Sequence, residues 1–175
     1  MNRRIVLLTA ILVVSNIVWA LLFYNSQSDR KHAPDEHHPF QIYFLDGRGV
    51  TWDITDYKII IAHDHILRGE ATLVYKGNPE EIEDSSYFEY TFYEMDSDGT
   101  AQAVYVNETI AIGGTVSILH NLDTGSQTSS YLYDELAKDK QTYESTYAEI
   151  RWKDSGGKLH TETVQLDIRD EIMME

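Results

Sequence analysis

The feature that most constrains this 175-residue chain is an apolar stretch near its N-terminus, residues 5–24. It reads IVLLTAILVVSNIVWALLFY, in which no residue is charged and only Thr9, Ser15 and Asn16 are polar. A helix rises about 1.5 Å per residue, so this stretch covers roughly 30 Å, the hydrocarbon thickness of a bilayer. A helix also satisfies every backbone N–H and C=O where no water is available. The stretch therefore predicts a transmembrane helix.

The basic residues around this stretch predict its orientation. Arg3 and Arg4 precede it, and the next basic residue is Arg30. Because lysine and arginine are enriched on the cytoplasmic side of membrane spans, the N-terminus is expected to be cytoplasmic. We therefore expect a single-pass protein of the cell membrane, in contact with lipid through residues 5–24, whose C-terminal part is extracytoplasmic.

A cleaved signal peptide is the alternative interpretation of the same residues. Val18 and Ala20 are acceptable at the minus-three and minus-one positions for cleavage after Ala20. The apolar run nevertheless continues to Tyr24 and is longer than the usual signal-peptide core of about 7 to 15 residues. The sequence thus favours an uncleaved anchor, with secretion after cleavage as the alternative.

Composition limits what the rest of the chain can be. There is no cysteine, which excludes disulfides, thiolate metal ligands and lipid attachment through a cysteine. Lys and Arg number 14 against 29 Asp and Glu, for a formal net charge of −15. Such a field repels phosphates, so no nucleic-acid partner is expected. Twelve tyrosines and only three prolines favour strands.

The pattern along the chain predicts an anchor at residues 1–24, a polar tether at 25–39, an extracytoplasmic β-sandwich domain at 40–170 and a tail at 171–175. About seven or eight strands are expected. We predict one long strand over residues 57–67, another over 87–95 and a strand over 115–122. A polar loop follows at 123–130, one or two helical turns at 131–138, a hairpin of strands 142–153 and 158–168, and loose final residues from 169 onward. The alternation predicts which residues of three strands face the core. They are Phe88, Tyr90 and Phe92 in strand 87–95, Ala148, Ile150 and Trp152 in strand 142–153, and Val164, Leu166 and Ile168 in strand 158–168.

Three features carry a resemblance of fold: the helical turn at 131–138, the run YESTYAEIRW at residues 143–152, and the final turn. Over about residues 50–168 the chain resembles the immunoglobulin-like domains of bacterial extracytoplasmic proteins. The resemblance implies an all-β, antiparallel, immunoglobulin-like sandwich, with Tyr143 or Tyr147 at the tyrosine position near the start of the penultimate strand. Both cysteines of the antibody pattern are missing. This fold hosts many functions.

His63 and His65 are the candidate metal ligands. On a strand, residues two apart point the same way, so both imidazoles would project from one face of strand 57–67 toward Zn, Cu or Ni. Further ligands would have to come from elsewhere, for which His120, His160, Glu70 and the tether histidines are candidates. A pair of partly exposed polar residues at a strand end is the simpler interpretation. His32, His37 and His38 in the tether form at most a weak metal site.

Two short motifs have structural explanations that we favour over functional ones. Asp96-Ser97-Asp98-Gly99 matches part of a calcium loop, but its flanks read as strands, so a hairpin turn is expected. Asp123-Thr124-Gly125-Ser126 looks like the motif of aspartic proteases, yet only one copy is present and a homodimer would be needed. The outward tyrosines Tyr87 and Tyr93 could stack on glycans or pack against a protein.

No catalytic motif is present, so the sequence predicts a non-enzymatic, membrane-tethered module that binds a protein or cell-envelope partner and has no cofactor. The alternative function is extracytoplasmic binding of a divalent metal through His63 and His65.

Overall fold

Antiparallel strands make up most of the described part of the chain. The computed structural model describes residues 40–131 and 138–174, all within a compact unit of residues 38–175. These residues form nine strands and one short α-helix. They are β1 (Phe40–Arg48), β2 (Trp52–Ile61), β3 (His65–Gly69), β4 (Thr72–Tyr75), β5 (Tyr87–Met95), β6 (Ala101–Ile110), β7 (Ser126–Ser130), α1 (Lys140–Tyr143), β8 (Tyr147–Lys153) and β9 (Leu159–Met174). The all-β, antiparallel prediction is confirmed.

One continuous sheet contains these strands in the order β6-β5-β8-β9-β1-β2-β3-β7, with β4 also paired to β2. The long strand β9 joins its two halves. Its first part pairs with β8, from Leu159 opposite Lys153, and its last part pairs with β1, up to Met174 opposite Phe40. The sheet curls into a nearly closed barrel, so its halves face each other without being separate sheets.

Aromatic side chains from the two halves meet in the core. The ring of Tyr57 on β2 stacks on Phe92 on β5, with 4.1 Å between centroids. Trp52 on β2 lies 5.5 Å from Phe88 on β5 and 5.7 Å from Trp152 on β8. Buried aromatic rings of this size dominate the energetics of a core. The predicted core residues Phe88, Tyr90, Phe92, Ala148, Ile150, Trp152, Val164 and Leu166 are buried, and Ile168 is partly buried.

A buried ion network links β3, β5 and the chain just before α1. Nε and Nη2 of Arg68 donate to the two carboxylate oxygens of Glu94 at 2.6 and 2.9 Å, and Nζ of Lys138 donates to the same carboxylate at 2.9 Å. The Glu94 side chain is fully buried. Burial alone raises the pKa of Glu94, but the hydrogen bonds and charges of Arg68 and Lys138 outweigh burial and hold this pKa below its ordinary value.

The predicted long strand over residues 57–67 is wrong, because a hairpin turn interrupts it. β2 ends at Ile61, β3 begins at His65, and Ile61 is opposite Ile66 in the ladder. The Ala62 amide donates to the His65 carbonyl at 2.9 Å across the turn. This turn contains no glycine or proline, the residues that usually mark a turn in a sequence. The alternating pattern therefore continued through it, and the turn was not predicted. β3 ends at Gly69, which has φ +125, and Glu70 and Ala71 separate it from β4 along the same edge of β2.

Three other predicted elements are also wrong. Residues 115–122 form no strand: Val116 and Ile118 are buried, and a 3₁₀ turn covers Ile118–His120. Part of the predicted polar loop 123–130 is the edge strand β7, whose polar sequence SQTSS reflects its exposure. The predicted loose end belongs to β9, which continues to Met174 because its last part pairs with β1.

Several predictions fall on residues outside the described ranges. They are the membrane helix at residues 5–24, the tether at 25–39 with its three histidines, and most of the helical turn at 131–138. Within residues 40–131 and 138–174, no helix is both long and apolar enough to cross a bilayer.

The short helix that is described, α1, begins at an Asp139 capping box and leads into β8. Tyr143 is buried in α1 and Tyr147 opens β8. The tyrosine position implied by the resemblance stays a prediction.

Candidate ligand pocket

A pocket of about 570 Å³ lies among three turns of the sheet. They are the β1–β2 turn, the segment that follows β4, and the β8–β9 turn. A pocket of this size is typical of sites for small ligands or short peptide segments. Its lining residues are Thr51, Tyr75, Glu81, Trp152, Asp154, Ser155, Gly156 and His160.

The β8–β9 turn is built by its own sequence, Asp154-Ser155-Gly156-Gly157. The Asp154 amide donates to the Lys158 carbonyl at 3.0 Å, and the Asp154 carboxylate accepts from the Lys158 amide at 2.9 Å. Gly157 has φ +83, a conformation that favours glycine. This turn sets Trp152 and His160 directly opposite each other at the ends of β8 and β9.

The same turn holds the acidic segment after β4 in place. The Ser155 hydroxyl donates to the Glu80 carbonyl at 2.9 Å and accepts from the Asp84 amide at 3.3 Å. The Ser155 amide donates to the Glu81 carbonyl at 2.7 Å. Ile82, at the centre of the segment, is buried in the core. The acidic wall of the pocket is therefore formed in advance of any ligand.

Aromatic rings form another wall. The Trp152 and His160 rings stack with 5.3 Å between centroids and 16° between planes. Tyr75 packs against the buried Trp52 at 4.9 Å, and its hydroxyl donates to Glu81 at 3.3 Å. Since Trp152 is only 5% exposed, the partly exposed His160 and Tyr75 present most of the aromatic surface.

The ionisable groups that line the pocket favour negative charge over positive charge at neutral pH. Hydrogen bonds from His160 and from the Lys158 backbone amide lower the pKa of Asp154. Burial and the nearby Glu81 carboxylate raise the pKa of Tyr75. Nε2 of His160 lies 2.8 Å from the Asp154 carboxylate, an arrangement that fixes the ring. At neutral pH, Asp154 is thus a carboxylate and Tyr75 is a neutral phenol.

Ser155, His160 and Asp154 are residue types found in hydrolytic sites, but their geometry here is structural. The Ser155 hydroxyl donates its proton to a backbone carbonyl, so no base is placed to receive that proton. His160 Nε2 is engaged by the turn residue Asp154. Among the lining residues, Ser155 and His160 are therefore not placed as a nucleophile–base pair.

His63 and His65 do not share a strand face, because His63 lies in the β2–β3 turn and His65 opens β3. The His65 ring is bonded to Asp64 at 2.6 Å. Of the suggested additional ligands, Glu70 pairs with Lys58 at 2.6 Å, His160 pairs with Asp154, and Nδ1 of His120 is bonded to the Ser117 hydroxyl. The tether histidines lie outside the described residues. In the described part of the chain, no group of three or more His, Asp or Glu side chains is arranged to hold a metal. The premise that both imidazoles project from one strand face is therefore wrong, and metal binding through His63 and His65 stays a prediction.

The two short motifs form turns and contacts of the fold. Asp96-Ser97-Asp98-Gly99 is a turn in which the Asp96 carboxylate accepts from the Thr100 amide at 2.8 Å. In the other motif, the Asp123 carboxylate is exposed and accepts from the Thr72 hydroxyl at 3.1 Å. The carbonyl of its neighbour Thr124 accepts hydrogen bonds from the Tyr90 and Tyr105 hydroxyls, which ties the β5–β6 edge to the chain before β7.

The outward tyrosines lie where the alternation predicts. Tyr93 stacks on Tyr147 of β8 with 4.9 Å between centroids. The Tyr87 hydroxyl donates to Glu89. Burial, followed by the hydrogen bond to Glu89, raises the pKa of Tyr87 to about 12. Their role in binding stays a prediction.

Sequence reasoning did not identify the pocket. The turn at 154–157 was expected, and its register places Trp152 opposite His160, so half of the aromatic wall could have been found from the hairpin. Tyr75 and Glu81 come from a distant segment, and their approach depends on the curl of the whole sheet.

Comparison of the chain with protein-family models, with curated protein sequences and with solved structures finds no match.

Proposed function

We propose that this protein is a membrane-tethered, immunoglobulin-like module that acts outside the cytoplasmic membrane and binds a protein or cell-envelope partner without catalysis. Residues 5–24 serve as the anchor, and the β domain presents its pocket to the partner. The two facing halves of the sheet, which β9 joins, support an immunoglobulin-like arrangement.

The observation that carries the proposal is the preformed pocket. Its walls come from three turns, which is where binding residues are commonly placed on a β scaffold. Ser155 holds two of these turns together, so little ordering is needed when a partner binds. The hydroxyl and imidazole groups that could act in catalysis are committed to the turn itself.

A pocket-filling variant tests the binding role. In Gly156→Phe, the new side chain starts from the lip of the pocket, where an added Cβ meets only the Asp154 carboxylate at 3.2 Å. Gly114→Phe is the matched control, because a Cβ there meets nothing within 4 Å. The full chain, with its proposed anchor held in zwitterionic nanodiscs, is tested for retention on the host's purified envelope fractions. We expect Gly156→Phe to abolish retention and Gly114→Phe to preserve it; equal retention of both variants would refute binding through the pocket.

The predicted location is tested separately. A C-terminal epitope tag on the full chain should fractionate with membranes, resist carbonate extraction and be degraded by protease added to spheroplasts. Mass spectrometry should find residues 1–24 still attached. A mature chain that begins after Ala20 would instead establish the secreted form, and a tag protected from external protease would refute an extracytoplasmic domain.

A further inference from the structure

The charge around the pocket indicates which chemical class of ligand it holds. We propose that the pocket binds a lysine or arginine side chain presented by a segment of a partner protein. This inference rests on the proposed function and adds the ligand class to it.

The acidic rim lacks neutralising partners. The rim is the acidic segment after β4, in which Glu81 lines the pocket and Glu80, Glu83 and Asp84 are its near neighbours in the chain. All four are exposed, and within residues 40–131 and 138–174 none of them forms an ion pair. An acidic cluster left unpaired beside a cavity repels itself, and a cation relieves that repulsion.

No lysine or arginine is among the described residues that line the pocket. Nζ of Lys76 pairs with Asp53 at 2.7 Å. Lys153 and Lys158 flank the β8–β9 turn, yet neither lines the pocket. Within the pocket, His160 is the lining residue that can become cationic, and it faces the Asp154 carboxylate. The rim charge is therefore available to a ligand.

The backbone of the acidic rim is also held in place from two sides. Ile82 is 1% exposed and fixes the middle of the acidic segment to the core. Ser155 bonds the backbone of Glu80, Glu81 and Asp84 from the other side. A fixed backbone lowers the entropic cost of placing these carboxylates around a cation, because part of the ordering is already met by folding.

The aromatic surface suits the stem and head of a basic side chain better than a sugar ring. One face of Trp152 is covered by the stacked His160, and an edge-on Trp52 packs against Trp152 as well. A sugar needs an open aromatic face, whereas a lysine or arginine can lay its apolar stem along Tyr75 and His160. Its charged head then reaches the carboxylates and gains a cation–π contribution from Tyr75.

The volume and the field of the protein point to a peptide as the source of the cation. About 570 Å³ is far more than a single ammonium group fills, so the pocket admits the neighbouring residues of a short segment. A formal net charge of −15 attracts basic segments toward the protein and accelerates their encounter with the pocket.

The test compares a charged peptide with its neutral counterpart. The probes are the capped hexapeptide Gly-Lys-Gly-Gly-Lys-Gly and the same peptide with both lysines Nε-acetylated. Binding to the full chain in zwitterionic nanodiscs is measured by calorimetry at low salt. We expect the charged peptide to bind at least about ten-fold more tightly than the acetylated one, because acetylation removes the charge and retains the stem.

Charge-neutral variants locate the effect. The triple variant Glu80→Gln, Glu81→Gln and Glu83→Gln is expected to weaken binding of the charged peptide by about ten-fold. The control removes the same charge from exposed positions that neither line the pocket nor belong to the acidic segment around Glu81, with Glu108→Gln, Glu144→Gln and Asp167→Asn. We expect less than about a two-fold change there. Near-UV circular dichroism verifies that both variants are folded.

The outcomes separate this inference from the proposed function. Equal affinity for both peptides, equal loss in both triple variants, or tighter binding of an N-acetylglucosamine oligomer overturns the cationic class. If one of these results is found and Gly156→Phe still abolishes envelope retention, the proposed binding function stands but its ligand is not a basic side chain. If Gly156→Phe changes nothing and the charged peptide does not bind at millimolar concentration, both fall.

Discussion

Glu94 and the acidic rim at residues 80–84 lie at opposite ends of the range of solvent exposure in this protein. The Glu94 carboxylate is fully buried and bonded by two cations, Arg68 and Lys138. The rim carboxylates are exposed and, among the described residues, have no cationic partner. The protein thus neutralises the negative charge that its fold encloses and leaves unneutralised the charge beside its pocket. This difference separates charge that serves the fold from charge available to a ligand.

The largest expected effect is on the buried side of this comparison. Glu94→Gln removes the carboxylate that pairs with the buried Arg68 and Lys138, and breaking such a network costs about 3–5 kcal/mol of the free energy of unfolding. Urea denaturation of the full chain in nanodiscs, followed by tryptophan fluorescence, measures the loss. A cost below about 1 kcal/mol would show that the network does not stabilise the fold.

Acid should weaken the buried network in a specific direction. The pKa of Glu94 is lower in the folded protein than its ordinary value. The unfolded chain therefore takes up this proton at a higher pH than the folded one, so the contribution is present at neutral pH and is lost as pH falls through the folded pKa. We expect the stability difference between the wild-type protein and Glu94→Gln to shrink between about pH 6 and pH 3. A difference that stays constant over this range would contradict the assigned pKa direction.

The buried hydroxyl of Tyr57 gives a further test of how polar groups in the core affect stability. Its hydroxyl is buried and has no hydrogen-bond partner among the described residues. Burial, followed by the nearby Glu94 charge, raises the pKa of Tyr57 well above its ordinary value, so the phenol is neutral. Tyr57→Phe removes an unsatisfied polar group and keeps the stacking on Phe92, so we expect the free energy of unfolding to rise by about 1 kcal/mol. A loss of more than about 1 kcal/mol would indicate a hydrogen bond to this hydroxyl.

The smallest expected effect on stability is at the rim. Glu81→Gln removes an exposed charge that has no ion-pair partner in the described residues, so the free energy of unfolding should change by no more than about 0.5 kcal/mol. The same urea titration checks it, with Glu94→Gln as the contrasting variant. A large destabilisation would mean that the rim carboxylates serve the fold after all.

The sequence predicted local strand patterns better than turns and long-range approaches. β5 was predicted with its observed bounds, Tyr87–Met95, because strict alternation marks a strand with one buried face. The break at Ala62–Asp64 was missed because no glycine or proline marks it. β7 was missed because an exposed edge strand can be polar throughout.

The candidate site was harder to foresee than the fold. His63 and His65 were chosen for their spacing on a strand that the structure does not contain. The pocket depends on Tyr75 and Glu81 approaching Trp152 and His160 from a distant part of the chain. The ion pair between Arg68 and Glu94 likewise joins β3 to β5. Such contacts follow from the curl of the whole sheet, which local patterning does not specify.

The most direct test of this account is the salt dependence of peptide binding. The dissociation constant of the lysine hexapeptide is measured on the full chain in zwitterionic nanodiscs at about 0.05 M and about 0.5 M NaCl, alongside the acetylated peptide. If the exposed rim attracts a cation, screening should weaken binding of the charged peptide by about ten-fold or more and bring it close to the acetylated one. Unchanged affinity at high salt, or the same salt response from both peptides, would contradict the claim that the rim charge is available for a cationic partner.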